Sequence, residues 1–176
     1  MALAERTWTN PRTGASLTWR REGDDGMTER LMRPRTGKAD AHVHFDYVES
    51  FEVLEGTATI EVEGRTSEAG PGETVELPRG TPHRNPYNAT DADLRLRHRV
   101  SPGGSFAEAF VSSLGHHMEN DTVNAQGEFS NLQLFVVLHG TRAQSYRAGI
   151  PVAVQKPVIA LGAALGRRRG LRPGYE

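Results

Sequence analysis

Hydrophobic and polar positions alternate over the first hundred residues of the chain, and then the period changes. In Thr57-Ala58-Thr59-Ile60-Glu61-Val62-Glu63, Ala58, Ile60 and Val62 share one face, while Thr and Glu take the other. A period of two marks a half-buried strand. Leu94-Arg95-Leu96-Arg97-His98-Arg99-Val100 alternates as well, with Leu94, Leu96, His98 and Val100 inward and three arginines outward. Gly and Pro punctuate residues 8–100 at intervals of 8–12 positions, for example at Asn10-Pro11, Gly56, Gly64, Gly70-Pro71-Gly72 and Pro78 to Pro82. Short strands with turn signals at that spacing predict a sandwich or barrel.

Beyond Pro102 the spacing becomes helical. Phe106, Phe110 and Leu114 recur on one helix face, with Ser105 as the N-cap. Residues 116–128 read as a polar loop, and Asn131–His139 as a short apolar run open to helix or strand, with helix favoured. Residues 152–169 put Val154, Val158, Leu161 and Leu165 on one face, which is expected to cover the barrel or a dimer neighbour. Pro157 would kink this helix or start it at its first turn. The plan is an all-β barrel over residues 1–102, followed by a helical extension of the same domain over 103–176, with two or three helices packed outside.

Composition narrows the chemistry. The 176 residues suffice for one domain with a real core. Formal net charge is -1, so no field of one sign argues for nucleic acid or an anionic membrane. Cysteine is absent, which excludes disulfides and thiolate metal sites. The N-terminus lacks a basic stretch followed by an apolar run, and the longest apolar stretch, Val158 to Leu165, is too short to span a bilayer. The expected location is cytoplasmic, with neither nucleic acid nor membrane as partner.

Two segments carry candidate chemistry. In the first, Gly37 to Gly56, His42 and His44 are two apart and face the same side of a strand. After four intervening residues, room for a bulge or tight turn, Glu49 shares its parity with Phe51 and Val53, so its carboxylate joins an inward apolar set. In the second, Gly72 to His83, a strand with Val75 and Leu77 runs into the stiff turn Pro78-Arg79-Gly80-Thr81-Pro82, which delivers His83. Three imidazoles and a carboxylate turned inward are costly unless paired. A divalent cation satisfies all four, and this donor set suits Fe, Mn, Co, Ni, Cu or Zn.

These segments resemble the two signature motifs of the cupin superfamily. His42, His44, Glu49 and Gly56 stand at the spacing of the first motif, and Gly72, Pro78, Gly80 and His83 at that of the second. Four residues separate Gly37 from His42 where the pattern has five, and Tyr87 replaces the asparagine expected beyond the last histidine, with Asn85 and Asn88 beside it. The resemblance covers about residues 7–102. It implies a cupin jelly-roll barrel of the small bacterial single-domain kind and a three-His, one-Glu site holding one divalent transition metal. It also implies a homodimer.

Further candidates surround this set. His98 and Tyr47 are the candidate proton carriers, with a core histidine and simple aromatic packing as the respective alternatives. Phe51 and Tyr87, near the two motifs, are candidates to contact a small-molecule substrate. His116-His117 reads as solvated loop, with a second metal site as the alternative, and Arg167-Arg168-Arg169 as cations offsetting a helix dipole, with a membrane-surface role as the alternative. By the same resemblance, the function is a metal-dependent oxidoreductase of the dioxygenase type. The alternatives are non-redox isomerase, cyclase, lyase or decarboxylase chemistry, and a non-catalytic ligand-binding barrel.

Overall fold

The computed structural model describes residues 5–142 and 145–174, with the backbone alone at 104 and 105. Ten strands come first: β1 (Glu5–Thr9), β2 (Ser16–Glu22), β3 (Asp25–Met32), β4 (His42–His44), β5 (Val48–Glu55), β6 (Ala58–Val62), β7 (Arg65–Ala69), β8 (Thr74–Leu77), β9 (His83–Tyr87) and β10 (Leu94–Ser101). Then follow α1 (Gly104–Glu119), α2 (Asn131–Thr141), β11 (Ser145–Arg147) and α3 (Val152–Arg168).

The strands form two antiparallel sheets. One has the order β1-β2-β3-β10-β5-β8, and the other β11-β4-β9-β6-β7. The alternation read from the sequence sets which side chains point between them. Glu49, Phe51 and Val53 of β5 are buried, as are Leu94, Leu96 and Val100 of β10. The outward arginines meet acids: Arg97 bonds Glu29 and Glu52, and Arg99 bonds Glu22 and Asp25.

Apolar side chains gather in two clusters. Met32, Val53, Ala58, Ile60, Tyr87, Leu94 and Leu96 form one. Trp8, Leu17, Trp19, Tyr47 and Val100 form the other, together with Ala107, Leu114 and Met118 of α1. Helix α1 therefore closes one side of the barrel. Gly115 makes this possible, because a Cβ there would stand 2.1 Å from the Trp8 ring.

Several expectations for the extension are corrected. Residues 116–119 belong to α1, since Leu114 and Met118, one turn apart, both reach the core. Gly103, not Ser105, holds the N-cap position, and the Ser105 side chain lies outside the described residues. Strand β11 pairs with β4 and extends the second sheet; at three residues it was too short to show a period. Pro157 lies inside α3 rather than at its first turn. The apolar stripe of α3 does not cover the barrel: Val154, Val158, Leu161 and Leu165 are 44–73% exposed. Instead α3 packs on α2 through Gly162 and Gly166, which admit Phe135 and Val136 where a Cβ would clash. Among the described residues no helix is long and apolar enough to cross a membrane.

Candidate metal centre

The two sheets meet at Glu49. Its strand, β5, lies between β8 and β10, with Glu49 opposite Leu77 and Val100. Across the barrel, β4 and β9 place His42 and His83 opposite each other as cross-strand neighbours. A bend at Phe45 and Asp46 separates β4 from β5 and lets His44 and Glu49 face the same interior. The second-motif turn is tied to the first-motif strand, since the Gly80 amide donates to the His44 carbonyl at 2.7 Å. Gly80 has φ +77 and Gly56 has φ +83, a region that favours glycine. At Gly56 a Cβ would also stand 2.4 Å from the Asp93 carbonyl oxygen.

Three imidazoles reach the Glu49 carboxylate. His44 Nε2 lies 2.9 Å and His83 Nε2 3.1 Å from Oε2, and His98 Nε2 lies 3.0 Å from Oε1. Burial by itself pushes the Glu49 carboxyl up. The hydrogen bonds from His44, His83 and His98 outweigh it and hold the group well below the usual carboxylate range. His42, Glu49 and His83 each offer a donor atom within 4.8 Å of the others. The ring of His42 stands 4.5 Å from that of His83 and 6.2 Å from that of His44. His44 thus joins the group through Glu49 and through His83, whose ring centre is 4.9 Å away.

The donor set fits a divalent metal on two grounds. Donors about 2.1 Å from one ion and at right angles to each other stand about 3.0 Å apart. His44 and His83 keep that separation from the same Glu49 oxygen, at 2.9 and 3.1 Å. The second ground is proton count. His83 Nδ1 faces the Thr81 carbonyl at 2.8 Å while Nε2 faces the carboxylate, so both nitrogens point at acceptors. A neutral imidazole has one N–H for these two acceptors. Either the ring is a buried cation or a metal ion takes the Nε2 lone pair. His42 is prepared similarly, with Nδ1 3.2 Å from the Asp40 carbonyl. Backbone acceptors of this kind fix the tautomer and orient the other nitrogen toward a metal. Enclosure by protein pushes the His42 imidazole down to about 4, against the charge of Glu49, so it is neutral and able to ligate at pH 7.

The other sequence candidates take distinct places. His98 sits opposite Phe51 in register, and their rings stack 4.2 Å apart at 2°. Its Nδ1 faces the Thr28 hydroxyl at 3.5 Å. Tyr47 stacks on His44 at 4.0 Å and is covered by Phe106 of α1 at 4.8 Å. Burial first, then the Glu49 charge, raises the Tyr47 phenol above its ordinary range, despite a hydrogen bond with Ser145. Phe51 is 4% and Tyr87 8% exposed; Tyr87 packs in the first apolar cluster, with the Lys38 ammonium 5.3 Å from its ring. His42 alone of the four ligand candidates is part-exposed. His116 and His117 lie on the last turn of α1, away from this group, with His117 Nδ1 2.7 Å from the Thr122 hydroxyl.

Sequence reasoning missed Thr28, Phe106 and Ser145, whose contacts with the site come from distant parts of the chain. It also missed Asn88, whose buried amide donates to the carbonyls of Met32, Arg33 and Ala92. Its position beside Tyr87 was the available signal. A cleft of about 390 Å³, lined by Val48, Ser50, Glu76 and Arg99 of the strands and by Arg79 of the turn after β8, lies on the outer face of the first sheet, because the strand residues alternate with the inward set.

Comparison with known proteins agrees with this geometry. Residues 29–101 match the family model of the Cupin_2 cupin domain. No curated protein matches the chain. Among solved structures, a sugar phosphate isomerase of the cupin superfamily from Silicibacter pomeroyi is 22% identical, with TM-score 0.42; the match covers 48% of this chain and 58% of that one. A Thermus thermophilus protein is 20% identical, covering 52% and 85%, with TM-score 0.45. A Klebsiella pneumoniae protein with a double-stranded β-helix domain is 18% identical, covering 55% and 84%, with TM-score 0.46. The chain thus spans little more than half the length of the isomerase.

Proposed function

We propose that the protein is a metal-dependent enzyme, with His42, His44, Glu49 and His83 holding one divalent transition metal that meets a small organic substrate from the His42 side. The observation that carries this reading is His83, with both ring nitrogens aimed at acceptors inside a closed barrel. Glu49 supplies the negative charge that favours a cation there, and Thr81 and Asp40 orient the imidazoles. A bound iron or manganese ion would supply Lewis acidity and one-electron chemistry toward dioxygen.

Within this class the oxidoreductase is the better reading. Isomerase or lyase chemistry needs a side chain that gives or takes a proton near neutral pH. Tyr47 is buried with its phenol raised, and His98 has each ring nitrogen facing a partner. Tyr47 is 5% exposed and His98 meets the centre through Glu49, so neither presents a proton directly to a substrate. Their roles are to orient: Tyr47 supports the His44 ring, and His98 fixes the second oxygen of Glu49. Elemental analysis of untagged protein tests the first claim, with close to one transition metal per chain expected; metal-free protein with an intact fold defeats it. Oxygen uptake with a co-purified substrate tests the second. Turnover unchanged under strict anaerobiosis would move the assignment to Lewis-acid chemistry.

A further inference from the structure

Large hydrophobic side chains are exposed at six described positions: Phe45, Ile150, Val154, Val158, Leu161 and Leu165. Four lie on α3 at successive spacings of 4, 3 and 4, which places them in one stripe. Another face of the helix is already occupied, where Gly162 and Gly166 seat it on α2. Ile150 precedes the helix. Phe45 belongs to the same end, because its ring is 6.5 Å from Tyr146, and Gln155 of α3 bonds the backbone of the adjoining Arg147 and of Ile150.

Charge decides what such a stripe fits. Residues 145–174 contain Arg147, Lys156, Arg167, Arg168, Arg169 and Arg172, and neither Asp nor Glu. The chain as a whole has net charge -1, so positive charge is concentrated on this segment. Asp40 compensates Arg147 at 2.9 Å. Arg167 and Arg168 lie in the last turn and Arg169 at the C-cap, just beyond Leu165. A second copy paired stripe to stripe would set one cationic segment against another, in either helix orientation, with no acid in either. An anionic phospholipid surface answers both features: aliphatic side chains enter the acyl boundary while guanidinium groups meet phosphates.

We propose that α3 docks the protein, lying in the plane of the surface, on an anionic membrane. Phe45 follows His44 directly, so docking sets the β11–β4 side of the metal centre beside that surface. The proposal stands whether or not the centre is catalytic.

Sedimentation of the full chain with vesicles tests it, using phosphatidylcholine with and without phosphatidylglycerol. Binding is expected to the anionic vesicles and not to the neutral ones, and to weaken as salt rises. Replacing Arg167, Arg168 and Arg169 by Gln should lower the partition coefficient roughly 100-fold, at about fivefold per cation. Leu161→Gln with Leu165→Gln should also reduce binding. Both variants alter exposed positions, and unchanged circular dichroism verifies the fold. Equal binding to neutral and anionic vesicles overturns the proposal. So does absence of binding: a dimer by light scattering that the leucine variant dissolves would assign the stripe to a second copy, and a monomer would leave it without the membrane role.

Discussion

Replacing Glu49 by Gln changes one oxygen to an amide at the point where the two sheets meet. The carboxylate accepts from His44, His83 and His98 at 2.9, 3.1 and 3.0 Å, and the residue is 4% exposed. In the metal-free protein the amide N–H2 turns donor hydrogens toward at least one imidazole N–H. It also leaves any charged histidine unpaired. Breaking a buried pair from one side costs about 3–5 kcal/mol, while release of the desolvation cost of the carboxylate offsets part of it. A net loss of about 2–4 kcal/mol is expected by urea unfolding of chelator-treated protein. Glu52→Gln is the control, three positions along β5 on the outward side, where its partner Arg97 is part-exposed. That variant should lose less than about 1 kcal/mol. In metal-loaded protein E49Q should also drop the metal content from near one per chain to near zero, while E52Q retains it. If E49Q matches E52Q in stability and still holds stoichiometric metal, the reasoning about this carboxylate is wrong.

Other outcomes follow from the same geometry. Gly56→Ala should destabilise by about 2–4 kcal/mol in thermal or urea unfolding, combining positive φ with backbone overlap, whereas Gly80→Ala, at φ +77 with open space around it, should cost about 1–2 kcal/mol; equal costs would refute the role given to the Asp93 contact. His42 is lowered from 6.5 to about 4 in the fold, so the unfolded chain binds the extra proton between those pH values. Its stability contribution is therefore full above pH 6.5 and lost as pH falls toward 4, a loss of at most about 3 kcal/mol in metal-free protein. A His42→Phe variant whose stability falls as steeply as the parent's over that window would contradict this. Free metal at 100 times its dissociation constant should stabilise the fold by about 2.7 kcal/mol, raising Tm by roughly 5–10 °C, and a chelator should reverse the shift. A Tm indifferent to metal would count against the centre.

The barrel and four ligand candidates were legible in the sequence for local reasons. Period-two alternation assigns Glu49, Phe51 and Val53 to one face whatever lies across from them, and the stiff Pro78–Pro82 turn before His83 is visible in the chain itself. The resemblance to cupins supplied the barrel topology that this local pattern leaves open. What the chain alone determined was therefore which side chains face inward and at what spacing. The tertiary structure decided who meets whom. His98 joins Glu49 only because β10 pairs with β5, and Tyr47 is sealed only because Phe106 arrives from α1. The α3 stripe predicted a face covered by the barrel or a dimer neighbour; within the chain, Gly162 and Gly166 let a different face pack closely and left the stripe exposed. A helical period shows that an apolar face exists, but the choice of the buried face depends on how closely two backbones can approach, and the partner helix settles that.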